Sequence, residues 1–167
     1  AGADRRSERL RLGTLGLLVF TVDGHRLAVE LDAVERVVSM VAVAPLAGAP
    51  YAVLGAIDVA GEVVPVYDLR RRLELAPRDY GADAVLLLAR TARRRVALAA
   101  DAIAGVREVG DAPVTGADEL PPGTRHAAGA VAVEDGLVVI HDLEAFLSEE
   151  EERRLARALA EAAGAAR

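Results

Sequence analysis

The chain repeats itself. Setting Gly55 over Gly129 lays "LGAIDVAGEVVPVYDLRRRL" (54–73) on "AGAVAVEDGLVVIHDLEAFL" (128–147) without a gap. Gly55, Ala56, Val59, Val64, Asp68, Leu69 and Leu73 meet identical residues, and Ile57, Val63 and Val66 meet similar ones. Upstream, "RLAVELDAV" (26–34) lies over "RVALAADAI" (95–103), with linking loops of different length. Each half is a set of short apolar segments too few for a sandwich. Two such halves predict two small β-barrels packed side by side.

The segments read as strands and turns. Leu17–Val22 is β-branched and aromatic, Asp23-Gly24 is a hairpin signal, and Arg26–Leu31 returns. Asp32–Val38 reads as a short helix, with Asp32 as its cap and Val34, Val37 and Val38 on one side. Pro45, Gly48 and Pro50 mark a loop. Strands follow at Val53–Val59 and Val63–Tyr67, joined by a turn near Gly61. "RRRLELAPRDYG" (70–81) reads as a polar connector. The second half gives strands at Val85–Ala89 and Val96–Ala100, then a long Pro- and Gly-rich loop over 111–126. A final strand pair, Gly129–Val133 and Leu137–His141, follows. Asp68 and Asp142 each close a strand and read as caps or turn residues, not as a catalytic carboxylate pair.

After Ser148 the pattern changes. Ser148 and Glu151 have the spacing of a capping box, and Glu149–Glu152 favour the positive end of a helix dipole. Glu149 with Arg153 and Glu150 with Arg154 are spaced as helical ion pairs. Leu155 and Leu159 lie one turn apart to pack on a barrel, and Gly164 is the expected stop. The acidic run reads as a solvated helix start. The arginine runs 70–72 and 93–95 read as solvated turns. The expected organisation is a tail over 1–14, a domain over 15–147 divided at about residue 80, and a terminal helix over 148–167.

Composition narrows the function. The formal charge is −6 and aromatics make up 3%, which disfavours a nucleic-acid surface. There is no cysteine, so thiol catalysis, thiolate metal sites and disulfides are excluded. No apolar run reaches the roughly 18 residues of a membrane span. The arginines at 5, 6, 9 and 11 precede too short an apolar stretch for a signal peptide, so the expected location is the cytoplasm. His25, His126 and His141 share no metal-ligand spacing. Neither a phosphate-binding glycine loop nor a nucleophile elbow is present. These readings supply no motif for a metal site, a phosphate site or a catalytic nucleophile, and an enzyme stays open as an alternative at this point.

"LLVFTVDGHRLAVELDAVERVV", "LGAIDVAGEVVPVYDLRRRL" and "GLVVIHDLEAFLSEEE", in this order, resemble the CheW-like domain family. That domain occurs in chemotaxis coupling proteins and in chemotaxis histidine kinases. The resemblance runs from about Leu17 to the terminal helix. It implies a mainly β fold of two packed SH3-like five-stranded barrels, with short helices and a C-terminal α-helix. It also implies a non-enzymatic adaptor between chemoreceptors and a CheA-type kinase. Its partners would be the kinase regulatory domain, itself CheW-like, and the cytoplasmic tip of methyl-accepting chemotaxis proteins. No nucleic acid and no membrane insertion are expected. A scaffold of a parallel signalling or motility pathway remains an alternative, and a nucleic-acid-binding barrel pair is the reading from another class.

The expected partner-binding residues are Val34, Glu35, Val38, Ile57, Asp58, Ala60 and Gly61. One of them departs from the family. Where the resemblance implies Asn-Leu-Arg-Gly, this chain has Asp58-Val59-Ala60-Gly61. The missing arginine resembles one that pairs with a glutamate at the position of Glu35. Three explanations stay open: altered partners, a substitute arginine such as Arg36, or loss of one partner.

Overall fold

A computed structural model describes residues 15–109, 114–116, 127–133 and 136–165. Eleven strands are present among them: β1 Leu15–Val22, β2 His25–Glu30, β3 Val34–Ser39, β4 Val53–Val59, β5 Glu62–Asp68, β6 Val85–Arg90, β7 Arg95–Ala100, β8 Ala102–Val109, β9 Val114–Gly116, β10 Ala127–Val133 and β11 Gly136–His141. Helix α1 is Leu69–Arg72 and α2 is Glu149–Ala165. Single 3₁₀ turns occupy Leu31–Ala33 and Leu143–Ala145.

The strands form two sheets, ordered β8-β1-β2-β11-β10-β9 and β3-β6-β7-β5-β4. The expected division near residue 80 is not how the sheets divide. Each half sends its opening hairpin into the other half's sheet. Hairpin β1–β2 joins β8 to β11, and hairpin β6–β7 joins β3 to β5. The seams of this exchange are the parallel pairings, Leu27 beside Val139 on β2–β11 and Val66 beside Ala97 on β5–β7. The mainly β fold of two SH3-like units is as expected, but β9 makes one sheet six-stranded. The N-terminal tail, His126 and most of the 111–126 loop lie outside the described residues.

The repeat is visible in detail. β4 and β10 each shift register beside a glycine, between Val53 and Gly55 and between Ala127 and Gly129. Gly55 has no room for a side chain, because a Cβ there would stand 2.2 Å from the Ala44 carbonyl oxygen. Asp68 accepts a hydrogen bond from the Arg70 amide at 2.9 Å, and Asp142 accepts one from the Glu144 amide at 3.0 Å. Both aspartates are therefore helix caps, as their position after a strand predicts.

Three local expectations are corrected. Asp32–Val38 is not a helix: after the Leu31–Ala33 turn the chain runs as β3, antiparallel to β6. Its three valines are stiff at χ1 and fit a pleated surface, and the ladder to β6 outweighs the cap signal of Asp32. The 70–81 connector opens with α1 instead of a loop. Gly164 does not stop the last helix, which is described through Ala165. β8 had no counterpart in the sequence reading.

The main core lies between the sheets and contains Leu18, Phe20, Val22, Leu87, Ala89 and Leu98. Tyr67 and Phe146 stack within it at 4.4 Å, and Leu155 and Leu159 of α2 pack against it. A second cluster, with Ile57, Val64, Val66, Leu86 and Leu88, lies on the other face of the β3–β7 sheet.

Charges fasten the last helix. Ser148 and Glu151 form the expected capping box, amide to carboxylate at 2.9 Å and amide to hydroxyl at 3.1 Å. The acidic run is not simply solvated. Glu151 pairs with Arg72 at 2.8 Å, Glu152 with Arg94 at 2.7 Å and Glu149 with Arg93 at 3.1 Å. Glu152 is buried, and so is Arg70. The two arginine runs are thus structural, since neighbouring carboxylates offset the cost of desolvating them.

Candidate functional site

The β4–β5 hairpin turns on Ala60-Gly61, both with positive φ, 51° and 89°. The β1–β2 hairpin turns the same way on Asp23-Gly24, at 49° and 79°. Two left-handed residues match the twist of the flanking strands. Asp58 accepts a hydrogen bond from the Gly61 amide at 2.7 Å and closes the turn. Ala60 occupies a conformation that disfavours any Cβ, with no side chain able to bond back to the turn.

Beside this hairpin runs a row of paired charges. Glu35 on β3 receives Arg95 on both carboxylate oxygens, each at 3.2 Å, and Arg90 at 3.3 Å. Arg95 also reaches Glu62 at 3.1 Å. The row therefore crosses β6, β3, β7 and β5. Hydrogen bonds from Arg95, and then its charge and that of Arg90, hold the Glu35 carboxyl below the ordinary carboxylate range. The arginines that serve Glu35 come from the hairpin lent by the second half. These two, and not the adjacent Arg36, are the arginines paired with Glu35.

A second feature is apolar. Directly paired residues on antiparallel strands point to the same face. On β3, Val34 and Val37 lie opposite Ala89 and Leu87, which belong to the inter-sheet core. On β8, Ile103 and Val106 lie opposite Phe20 and Leu18 of the same core. β3 and β8 are edge strands, so these side chains overrun the core. Val37 is 39% exposed and Val106 52% exposed. Leu31, just before β3, lies against Gly16 of β1, where a Cβ would meet its side chain at 3.4 Å. Gly16 in turn pairs with Glu108 on β8. Both edge strands thus leave apolar side chains exposed at the margins of the inter-sheet core.

The expected site residues separate accordingly. Glu35, Asp58, Ala60 and Gly61 are exposed around the hairpin and charge row. Val34 is half-buried and packs against the inter-sheet core. Val38 pairs with Leu86 and packs on the second cluster, on the opposite face. Ile57 is buried in that cluster. Val37 is exposed on the edge strand β3. Leu31, Ile103, Val106, Arg90, Arg95 and Glu62 were missed. The overlay of 26–34 on 95–103 was the available signal, since it places Ile103 on Val34. Among the described residues no group of three or more His, Cys, Asp or Glu could hold a metal ion, and no helix is long and apolar enough to cross a membrane.

Known proteins share this architecture. A probable chemotaxis protein CheW of Rhizobium etli is 27% identical over 144 residues, covering 85% of this chain and 93% of the relative. The CheW of Rhizobium meliloti is 27% identical over 149 residues, covering 87% and 96%. The crystal structure of the scaffolding protein TtCheW from Thermoanaerobacter tengcongensis superposes with a TM-score of 0.74 at 19% identity, over 82% of this chain and 94% of that one. The family model described as "CheW-like domain" matches residues 16–151, which carry both sheets, the charge row and the edge strands β3 and β8. The chain therefore belongs to the CheW-like family of chemotaxis scaffold proteins.

Proposed function

We propose that this protein is a non-enzymatic adaptor that joins the cytoplasmic tips of chemoreceptors to a CheA-type histidine kinase at the inner face of the membrane. The observation that carries this reading is the exposed apolar residues on and beside the edge strands β3 and β8. Leu31, Val37, Ile103 and Val106 lie at the margins of the shared core, a composition that suits the apolar face of a helical hairpin. The charge row around Glu35 and Arg95, with the Asp58–Gly61 turn, offers a separate face for the kinase regulatory domain. Paired arginines beside exposed Val63 have the composition of an interface centre. Holding both partners at once lets a change in the receptor bias the kinase through differential binding.

Ala60 supports a second reading, a scaffold of a parallel signalling or motility pathway with an altered receptor or kinase contact. Calorimetric titration with the regulatory domain of a chemotaxis kinase and with a receptor-tip hairpin, both from the same genome, separates the two. Micromolar binding to both is expected of the coupling adaptor. Binding to the kinase domain alone favours the parallel scaffold. Binding to neither overturns both.

A further inference from the structure

The two halves of the chain hold each other together. Strands β1 and β2 complete the sheet of β8 and β11, and β6 and β7 complete the sheet of β3 and β5. Tyr67 of the first half stacks on Phe146 of the second. The charge row is likewise shared: Glu35 and Glu62 come from the first half, Arg90 and Arg95 from the second. A buried clamp repeats the pattern. Arg70, 2% exposed, donates from Nε to Asp23 Oδ1 at 3.2 Å in its own half and from Nη2 to Asp101 Oδ1 in the other. Arg78 adds a second cation, 3.1 Å from Asp23 and 3.7 Å from Asp101. The Asp23 amide donates to Asp101 Oδ2 at 2.8 Å.

The covalent link between the halves is slight by comparison. Up to Tyr80 the connector is tied to the first half. The Arg78 carbonyl oxygen accepts from Arg70 Nη1 at 2.9 Å, and the Tyr80 hydroxyl donates to Asp68 Oδ1 at 2.7 Å. From Val85 the chain belongs to β6. Between them lie Gly81, Ala82 and Asp83, all exposed. One backbone bond closes this turn, from the Ala84 amide to the Gly81 carbonyl oxygen at 3.1 Å. A Cβ at Gly81 would meet nothing within 4 Å, so the turn lies open to solvent.

None of the junctions depends on that turn. A second copy of the chain presents the same hairpins, the same seams and the same aspartates. When the turn opens in two chains, each first half can close on the partner's second half with every contact between halves preserved. The cost is one turn per chain and the loss of the tether, which in a single chain acts as a local concentration on the order of 1 mM. A complete complementary surface joined by a short exposed hinge is the condition for such exchange. We propose that two copies of this chain exchange halves at residues 81–83. In the resulting dimer each pair of sheets, each Arg70 clamp and each Glu35–Arg95 charge row is built from both chains. One molecule then carries two charge rows. The exchange does not require the coupling role proposed above.

The test uses Thr21→Cys with Ala102→Cys, facing residues on β1 and β8 in a chain that has no cysteine of its own. The variant is refolded from urea at two concentrations, oxidised, and sized by gel filtration with light scattering after dilution to one concentration. With a tether of roughly 1 mM, about a third of the chains should be dimeric after refolding at about 500 µM, and about 1% after refolding at about 5 µM. The dimer should persist on dilution, because the halves part only through unfolding. In non-reducing denaturing gels it should run at twice the mass, because its disulfides join different chains. If the double variant does not fold, isotope-labelled and unlabelled wild-type chains replace it. They should form mixed dimers when refolded together and not when mixed as native dimers. Deleting Ala82 and Asp83 should raise the dimer share at the lower concentration about tenfold or more, because the shortened turn no longer closes. Wild-type protein that is monomeric from both samples overturns the proposal, and so does a deletion variant that folds as a monomer. A dimer whose disulfides stay within each chain, or native dimers that trade chains on standing, also overturns it, because both mark side-by-side association.

Discussion

Arg95 grips Glu35 with two nitrogens on two oxygens, each 3.2 Å apart, across β7 and β3. The family resemblance places the arginine partner of this glutamate on the β4–β5 hairpin, where this chain has Ala60. In this chain the arginines that pair with Glu35 are Arg95 and Arg90, both on the hairpin that β6 and β7 bring into the sheet of β3 and β5.

Arg95→Ala should therefore weaken binding of the kinase regulatory domain by about tenfold, as expected for loss of an arginine anchor. Arg95→Ala with Ala60→Arg should recover much of it. Ala60→Arg alone should change affinity little, because Glu35 is already paired. Titration calorimetry of the three variants checks this. The same pairing sets a pH dependence. Glu35 has a depressed folded pKa, so its contribution is present above the ordinary value of 4.5 and is lost as pH falls through the lowered one. Carbon-detected NMR of the Glu35 carboxyl should show a midpoint below 4.5, returning toward it in Arg95→Ala.

Among the described residues three other than glycine occupy left-handed backbone: Asp23, a residue type that tolerates it, Ala60 at φ 51° and Glu74 at φ 56°. Glu74 follows the Leu73 C-cap of α1, and its amide bonds to the Arg71 carbonyl oxygen at 3.2 Å while that of Leu75 bonds to Arg70 at 2.8 Å. That double bond is the Schellman ending, where glycine is preferred. Ala60→Asn and Glu74→Gly should each raise stability by about 1 kcal/mol, the scale of left-handed strain. Urea unfolding should show a higher midpoint at unchanged slope.

Glu152 is buried, 2.7 Å from Arg94 and 3.3 Å from Arg93. Glu152→Ala takes the carboxylate from Arg94, while Arg93 keeps Glu149, and should cost about 2–3 kcal/mol, between the values for a charged hydrogen bond and a fully buried pair. It should also be visible at Tyr67. Burial first, and the Glu152 charge second, push the Tyr67 hydroxyl up to about 12 from 10.0. The native state holds that proton over this window. Stability should be fully present below pH 10 and fall as pH rises toward 12. Tyrosinate absorbance should place the Tyr67 midpoint lower in Glu152→Ala than in the wild type.

Because each sheet borrows a hairpin, neither half contains a complete sheet. Fragments spanning 15–80 and 81–165 should be unfolded alone by circular dichroism and should fold on mixing. A fragment that folds alone would show that its own strands can close without the exchange.

Much of the architecture was readable in the residues. Alternating apolar segments, Asp23-Gly24 and Gly61 located two hairpins, because a two-residue turn with positive φ demands those residue types. Ser148 and Glu151 located the last helix start, because capping is a contact between near neighbours. The duplication was legible from Gly55 and Gly129, and a register shift stands beside each of them. Pairing partners distant in the chain were not legible. Asp32–Val38 carries a helix signal, and only the ladder to β6 makes it a strand. Arg70 has the composition of a solvated turn, and only Asp23 and Asp101, brought from two other segments, make it a buried clamp. Val37 and Val106 have the composition of core residues, and only their place on edge strands leaves them open to a partner. The sequence by itself determined the strands, turns, caps and duplication, which depend on neighbours a few residues apart. The tertiary structure alone decided which hairpin enters which sheet, which charges are buried and which apolar residues stay exposed, because those depend on contacts that the order of residues does not encode locally.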